Sequence, residues 1–140
     1  MMISSRGRYA LRVMTDLAEH NTGAYIPLTD IAQRKQVSEK YLESIVASLS
    51  KSGYLDALRG KGGGYRLNRP VEAYTLDDIL SVTEGSLAPI ACVDGPCEHA
   101  AECRTLPVWQ GLDDVIHNYL KSVTLADIIA EEHASAKEEL

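Results

Sequence analysis

The chain has 140 residues, 45% apolar and 24% charged, which suits one core, or a small domain with an appended helix, and excludes global disorder. No apolar run approaches the ~20 residues of a membrane span. The start MMISSRGRYALR puts charges where a signal peptide needs an apolar stretch, so a cytoplasmic protein with no membrane partner is expected. The net charge of −6 argues against indiscriminate nucleic-acid binding, yet it conceals a division. Residues 1–70 carry 11 Lys and Arg against 6 Asp and Glu, whereas residues 71–140 carry 3 against 14. A basic half joined to an acidic half predicts that one end meets a polyanion.

Ala10, Val13, Met14, Leu17 and Ala18 recur at helical spacing and predict a first helix, ended by Asn21-Thr22-Gly23. Arg6, Arg8 and Arg12 near its start are either phosphate contacts or solvated charges. Pro27 precedes a short second helix around Thr29–Arg34, with Ile31 and Ala32 inward. Gln36-Val37 is a tight connection, and Ser38 is suited to cap the next helix, because its hydroxyl accepts from a free N–H of the first turn. Leu42, Ile45, Val46 and Leu49 form the stripe of that third helix, which Ser52-Gly53 closes. Two helices joined by a turn of a few residues form a helix-turn-helix pattern.

Residues 54–58 alternate like a strand and Tyr65-Arg66-Leu67 is a second short strand. Between them lie Arg59, Gly60, Lys61, Gly62, Gly63 and Gly64. A nucleotide-phosphate loop should open into a helix and carry Gly-Lys-Ser/Thr; this one runs into a strand and Pro70. A glycine-rich tip flanked by Arg59, Lys61 and Arg66 instead lets backbone approach phosphates while cations displace counterions. Helix-turn-helix followed by such a hairpin predicts a winged helix over residues 1–72.

Beyond Pro70 the basic character stops. Thr75 and Asp78 form a capping-box pattern opening a helix through Ile79, Leu80 and Val82, ended by Gly85. Residues 73–106 then read as a linking helix and a cysteine-rich loop. A long helix follows near 107–122, where Trp109, Leu112, Ile116, Tyr119 and Val123 are spaced 3, 4, 3, 4, an a/d seam expected to form a subunit interface. Thr124 and Asp127 cap a short final helix through Ile128 and Ile129, completing a unit over 107–130. The charged, alanine-rich tail over 131–140 is expected to fray.

All three cysteines, Cys92, Cys97 and Cys103, fall in the stretch IACVDGPCEHAAECRTL. Their x4 and x5 spacings match neither the paired C-x2–4-C of zinc ribbons nor common ferredoxin patterns. Three thiolates on a short loop suit a soft-ligand site whose fourth ligand comes from elsewhere; the alternative is three unligated thiols in a flexible loop. The neighbouring acids Asp94, Glu98 and Glu102 do not lower thiol pKa values, which weakens a purely thiol-based sensor.

The stretches SSRGRYALRVMTDLA, IPLTDIAQR, VSEKYLESIVASLSKSGYL and LRGKGGGYRLNRP, together with the three cysteines and the TLADI of Thr124–Ile128, carry a resemblance. The chain resembles the IscR/NsrR/CymR-type family of bacterial winged-helix transcriptional regulators, over nearly its whole length. That resemblance implies a mainly α fold and a homodimer crossed through the long helix. It implies paired winged helices on a palindromic site in double-stranded DNA, with Ser38–Ser44 entering the major groove and the wing against the minor groove. Tyr41, Glu43 and Arg59 are carried over as DNA-facing positions; Glu43 fits because a carboxylate accepts from a cytosine amino group. Charge adds Lys40 and Lys61, and Arg8, Ser38, Ser44, Gly60, Gly62, Gly63, Gly64 and Tyr65 complete the expected interface.

The resemblance also implies that Cys92, Cys97 and Cys103 ligate an iron–sulfur cluster. Two departures stand out. The first cysteine spacing is one residue shorter than in IscR-type members, and the histidine they place three residues after the third cysteine is Leu106 here. Asp16, His99 and His117 are the remaining protein candidates, alongside a small exchangeable ligand. The expected function is therefore a non-enzymatic dimeric regulator sensing redox, nitric oxide or iron–sulfur status. The alternatives are a cluster-free repressor governed by thiols, a metal or a partner enzyme, and a protein that docks to an enzyme with DNA binding vestigial.

Overall fold

The computed structural model describes residues 2–130. The tail expected to fray lies outside the described residues. The elements are α1 (Ser5–Glu19), α2 (Leu28–Lys35), α3 (Glu39–Lys51), β1 (Leu55–Leu58), β2 (Gly64–Leu67), α4 (Leu76–Glu84) and α5 (Leu106–Ser122). Residues 125–130 are helical as well. The molecule is thus mainly α with one two-stranded antiparallel sheet.

The apolar stripes of α1 and α3 meet in one core. Ala10, Val13, Met14, Ile31, Leu42, Ile45, Val46 and Ile79 are fully buried there. Each large apolar side chain withdrawn from water in this way contributes about 1.5–3 kcal/mol before conformational entropy is subtracted. The turn between α2 and α3 is made by Gln36, the only described non-glycine residue with positive φ, 55°. Its left-handed conformation lets its N–H bond the end of α2 and reverses the chain within two residues. Ser38 caps α3 as the sequence indicates, its hydroxyl accepting from the Tyr41 N–H at 3.1 Å. The strands pair from Leu55 with Leu67 to Leu58 with Gly64, and Ile26 adds a rung on the other edge of β2 by exchanging two backbone hydrogen bonds with Tyr65, 2.8 and 2.9 Å. Gly64, at φ 148°, is obligatory at that rung, because a Cβ would collide with the Ile26 carbonyl.

The core does not stop at residue 72. Tyr74, Ile79 and Leu125 pack with α1–α3. The segment 124–130 is pinned beside the start of α4, where Leu76 N–H donates to the Val123 carbonyl and Leu125 N–H to the Tyr74 carbonyl, both 3.0 Å. A second, smaller cluster of Leu80, Leu87 and Leu120, with Ile3, Leu11 and Ile116 against it, seats α5 on α4 and α1. Ile116, expected in an intersubunit seam, therefore packs within its own chain. No helix among the described residues is long and apolar enough to cross a membrane.

Two buried polar groups tie separate segments together. The Asp16 carboxylate, 1% exposed, receives both Nε and Nη2 of Arg34 at 2.9 and 2.7 Å, joining α1 to α2. The Tyr74 hydroxyl donates to the Tyr54 carbonyl at 2.7 Å and accepts from the Asn68 N–H at 2.9 Å. Burial pushes the Tyr74 and Tyr54 phenols above the ordinary range. In the unfolded chain tyrosine ionises near pH 10, so folding stability is intact below that pH and falls as pH rises through the higher folded values. Tyr74→Phe should flatten this alkaline fall while costing about 1–3 kcal/mol at neutral pH, since it strands the Asn68 N–H and Tyr54 carbonyl. Urea unfolding at pH 7 and in the alkaline range measures both.

Candidate nucleic-acid interface

The third helix buries Leu42, Ile45, Val46 and Leu49, which fixes its rotation and turns Lys40, Glu43 and Ser44 outward. Its N-terminal turn, with the positive end of the helix dipole, stands beside the wing. Between them runs a groove lined by Thr29, Glu39, Glu43, Ala47, Arg59 and Gly63, among others. Arg59, Gly60, Lys61 and Gly62 are exposed, and Gly63, Gly64 and Tyr65 half-buried, at the tip and stem of the hairpin. The tip closes through the Gly63 N–H donating to the Gly60 carbonyl at 3.0 Å. No ion pair among the described residues engages Arg59, Lys61 or Lys40, so these cations are free for an incoming anion. Tyr41 is half-buried and packs edge-on against Tyr9, ring centroids 5.4 Å apart. Arg8 is exposed and reaches only Ser5, at 3.1 Å.

Two arginines, Arg6, which the sequence offers as a phosphate contact or a solvated charge, and Arg66, which it offers as a wing cation, make contacts within the fold. Arg6 donates through Nη1 to Ser44 Oγ at 2.6 Å and through Nη2 to the Ser44 carbonyl and Ser48 Oγ at 3.1 and 2.8 Å. It ties α1 to the exposed side of α3, and the Ser44 hydroxyl is already engaged by that contact. Arg66 lies over the Tyr25 ring at 4.2 Å, donates to the Gly23 carbonyl at 3.0 Å and meets Asp56 at 3.4 Å. It braces the wing stem and is not a free wing cation. Sequence reasoning named Glu39 only within the Ser38–Ser44 stretch and missed Ala47, although both repeat with Glu43 at four-residue intervals along the flank of the core stripe.

At the same N-terminal turn of α1, the Glu84 carboxylate accepts from the Ser4 N–H at 2.6 Å and from its hydroxyl at 2.8 and 3.0 Å. Gly7 makes room for this contact, since a Cβ there would sit 2.6 Å from Glu84 Oε1. Glu84 ends α4, and Gly85 opens the cysteine segment.

In that segment Cys92 sits on a 3-10 turn, Ala91–Val93, and all three cysteines are free and half-buried. The Thr105 hydroxyl, 3.3 Å from Cys103 Sγ, holds that thiol below its ordinary range. Three thiols suit an iron–sulfur cluster in kind. Their arrangement does not yet gather them: among the described residues no three Cys, His, Asp or Glu side chains approach closely enough to share a metal ion. Of the candidate fourth ligands, Asp16 is buried against Arg34, His117 Nδ1 contacts Asp77 at 2.7 Å, and His99 is exposed. Leu106 is the first residue of α5. Along α5, Val108, Leu112, Val115 and Tyr119 are exposed, whereas Trp109 and Val123 are half-buried.

A helix-turn-helix whose third helix and cationic wing share an open groove defines a winged-helix transcriptional regulator. The chain belongs to the Rrf2 family, whose model, described as an iron-dependent transcriptional regulator, matches residues 3–131. It is 32% identical to the HTH-type transcriptional regulator IscR of Vibrio vulnificus over 132 residues, 94% of this chain and 79% of that one. Among solved structures, CymR, the global cysteine regulator of B. subtilis, is 33% identical with a TM-score of 0.76, covering 94% of this chain and 98% of that one. IscR of T. potens is 32% identical with a TM-score of 0.74, covering 94% and 88%. These relatives are named as regulators, not enzymes.

Removing the Arg6 clamp should loosen the reading helix. Arg6→Met is expected to lower unfolding free energy by about 1–2 kcal/mol and to weaken duplex binding although it removes no free wing cation. Urea unfolding and fluorescence anisotropy on a labelled duplex test the two effects.

Proposed function

We propose that this regulator acts in the cytoplasm as a homodimer on a palindromic operator, and that an iron–sulfur cluster on Cys92, Cys97 and Cys103 sets its affinity. The observation that carries the DNA reading is the groove between α3 and the wing, walled by Arg59, which takes no ion pair among the described residues; Lys40 is exposed on α3 and Lys61 at the wing tip. Counterion release by these cations supplies affinity, and the N-terminal turns of α3 supply base contacts. On this reading Ser38, Tyr41, Glu43 and Gly60–Tyr65 contact the duplex, with Arg8 and Ser44 at the margin.

The dimer reading rests on α5. Val108, Leu112, Val115 and Tyr119 repeat at 4, 3, 4 and leave an apolar stripe exposed. Two of the expected seam residues, Leu112 and Tyr119, lie on it, while Ile116 faces inward. Two readers joined this way would address half-sites about 34 Å, one helical turn, apart.

When bound, a cluster would supply an oxygen- and nitric-oxide-labile redox centre on the acidic half. Thr105 would ease deprotonation of Cys103, and the shortage of a protein fourth ligand favours a small exchangeable one. A second reading, regulation by thiol oxidation without a cluster, is favoured by the same lowered Cys103 thiol and by the separation of the three sulfurs.

Anaerobic purification decides between them. The first reading expects iron and inorganic sulfide in stoichiometric amounts, visible charge-transfer absorption, loss of both in the triple Cys→Ser variant, and different operator affinity for loaded and stripped protein. Substoichiometric iron and sulfide, with operator binding that responds to peroxide only when Cys103 is present, would replace it with the second.

A further inference from the structure

The wing-facing wall of α3 carries more negative charge than a DNA-binding surface should tolerate. Glu39, Glu43 and Ala47 succeed one another along the groove that Arg59, Gly60, Gly63 and Gly64 close from the other side. Leu42, Ile45, Val46 and Leu49, all 0% exposed, hold α3 in that rotation. Both carboxylates are exposed, and neither takes a side-chain hydrogen bond or ion pair among the described residues. Arg59 lines the same groove and pairs with neither among the described residues. Two unpaired carboxylates brought against a polyanion are costly unless each meets a hydrogen-bond donor.

The major-groove edges of the bases say which donor. Guanine presents N7 and O6, and thymine O4, all acceptors that repel a carboxylate. Adenine offers an amino group beside the N7 acceptor. Cytosine offers its N4 amino group alone. Along an α-helix, residues 39 and 43 are separated by about 6 Å, and successive bases on one strand are about 3.4 Å apart along the axis. The two carboxylates therefore address bases within about two base pairs of each other. Ala47 continues the row with a methyl group, which suits the C5-methyl of thymine.

Building on the DNA-binding reading above, we propose that Glu39 is a second base-reading residue, which together with Glu43 requires cytosine at two nearby positions of each half-site. The Ser44 hydroxyl, engaged by Arg6, leaves this readout to the carboxylates. A glutamate in the first turn of a helix also favours the helix dipole. That role alone would alter stability and affinity equally on every DNA sequence, whereas base reading alters the order of preference.

The test is selection from a randomised duplex library by the full-length chain, kept anaerobic, followed by sequencing. Wild-type protein should enrich two cytosines in each half-site. Glu39→Gln should move the preference at one of them toward adenine, which glutamine recognises through N6 and N7, leaving the other unchanged; Glu43→Gln should do the reverse. Glu39→Ala should reduce the cytosine preference at the first position about tenfold, the range expected for loss of one base contact. Thermal unfolding of each variant separates a folding defect from altered readout. A preference matrix unchanged in Glu39→Gln, or affinity lowered evenly on all sequences, overturns the inference while leaving the regulator intact. A wild-type chain that enriches no sequence overturns both.

Discussion

The first two turns of α1 hold the molecule's two working parts in register. Within four residues, Ser4 is gripped by the Glu84 carboxylate and Arg6 grips Ser44 and Ser48. The helix that walls the groove and the helix that leads into the cysteines are thus fastened to the same short segment. Charged hydrogen bonds of this type are among the stronger polar contacts in a folded chain. They also explain a glycine in the middle of a helical turn, since Gly7 gives Glu84 its approach. The apolar stripe of α1 then buries this arrangement against α3 and α4, so that neither helix moves without disturbing it.

Charge is divided along the chain for a corresponding reason. Cations at the wing tip and on α3 stand free, whereas Arg6, Arg34, Arg66 and Arg69 are committed to carboxylates, serines, carbonyls or tyrosine rings. The basic half therefore presents fewer usable charges than its composition indicates, concentrated where the groove opens. The acidic half carries the cysteines and α5, and its charge would repel phosphate.

Much of this was legible in the sequence. The stripes of α1 and α3, the Ser38 cap, the capping box at Thr75 and the glycine-rich hairpin all follow from local spacing and turn chemistry, and each reappears in the structure. What escaped was set by long-range partners. Nothing near Arg6 or Arg66 in sequence announces Ser48 or Tyr25. The Ile26 rung and the Leu125 anchor join segments far apart in the chain. A 3-4 spacing does not say which of two flanking faces of α5 its own chain will cover, and it is the structure that packs Ile116 on Leu80, Leu87 and Leu120. The site divides in the same way: the wing and the third helix are visible as motifs, but the row of Glu39, Glu43 and Ala47 along the groove emerges only once burial fixes the rotation of α3.

The account rests on the wing cations meeting phosphate, and the salt dependence of duplex binding measures that most directly. Affinity of the full chain, followed across salt concentrations, should fall linearly on logarithmic axes, and Arg59→Ala should reduce the slope by about one for each protomer bound. Binding that ignores salt, or a slope the substitution leaves unchanged, would contradict it.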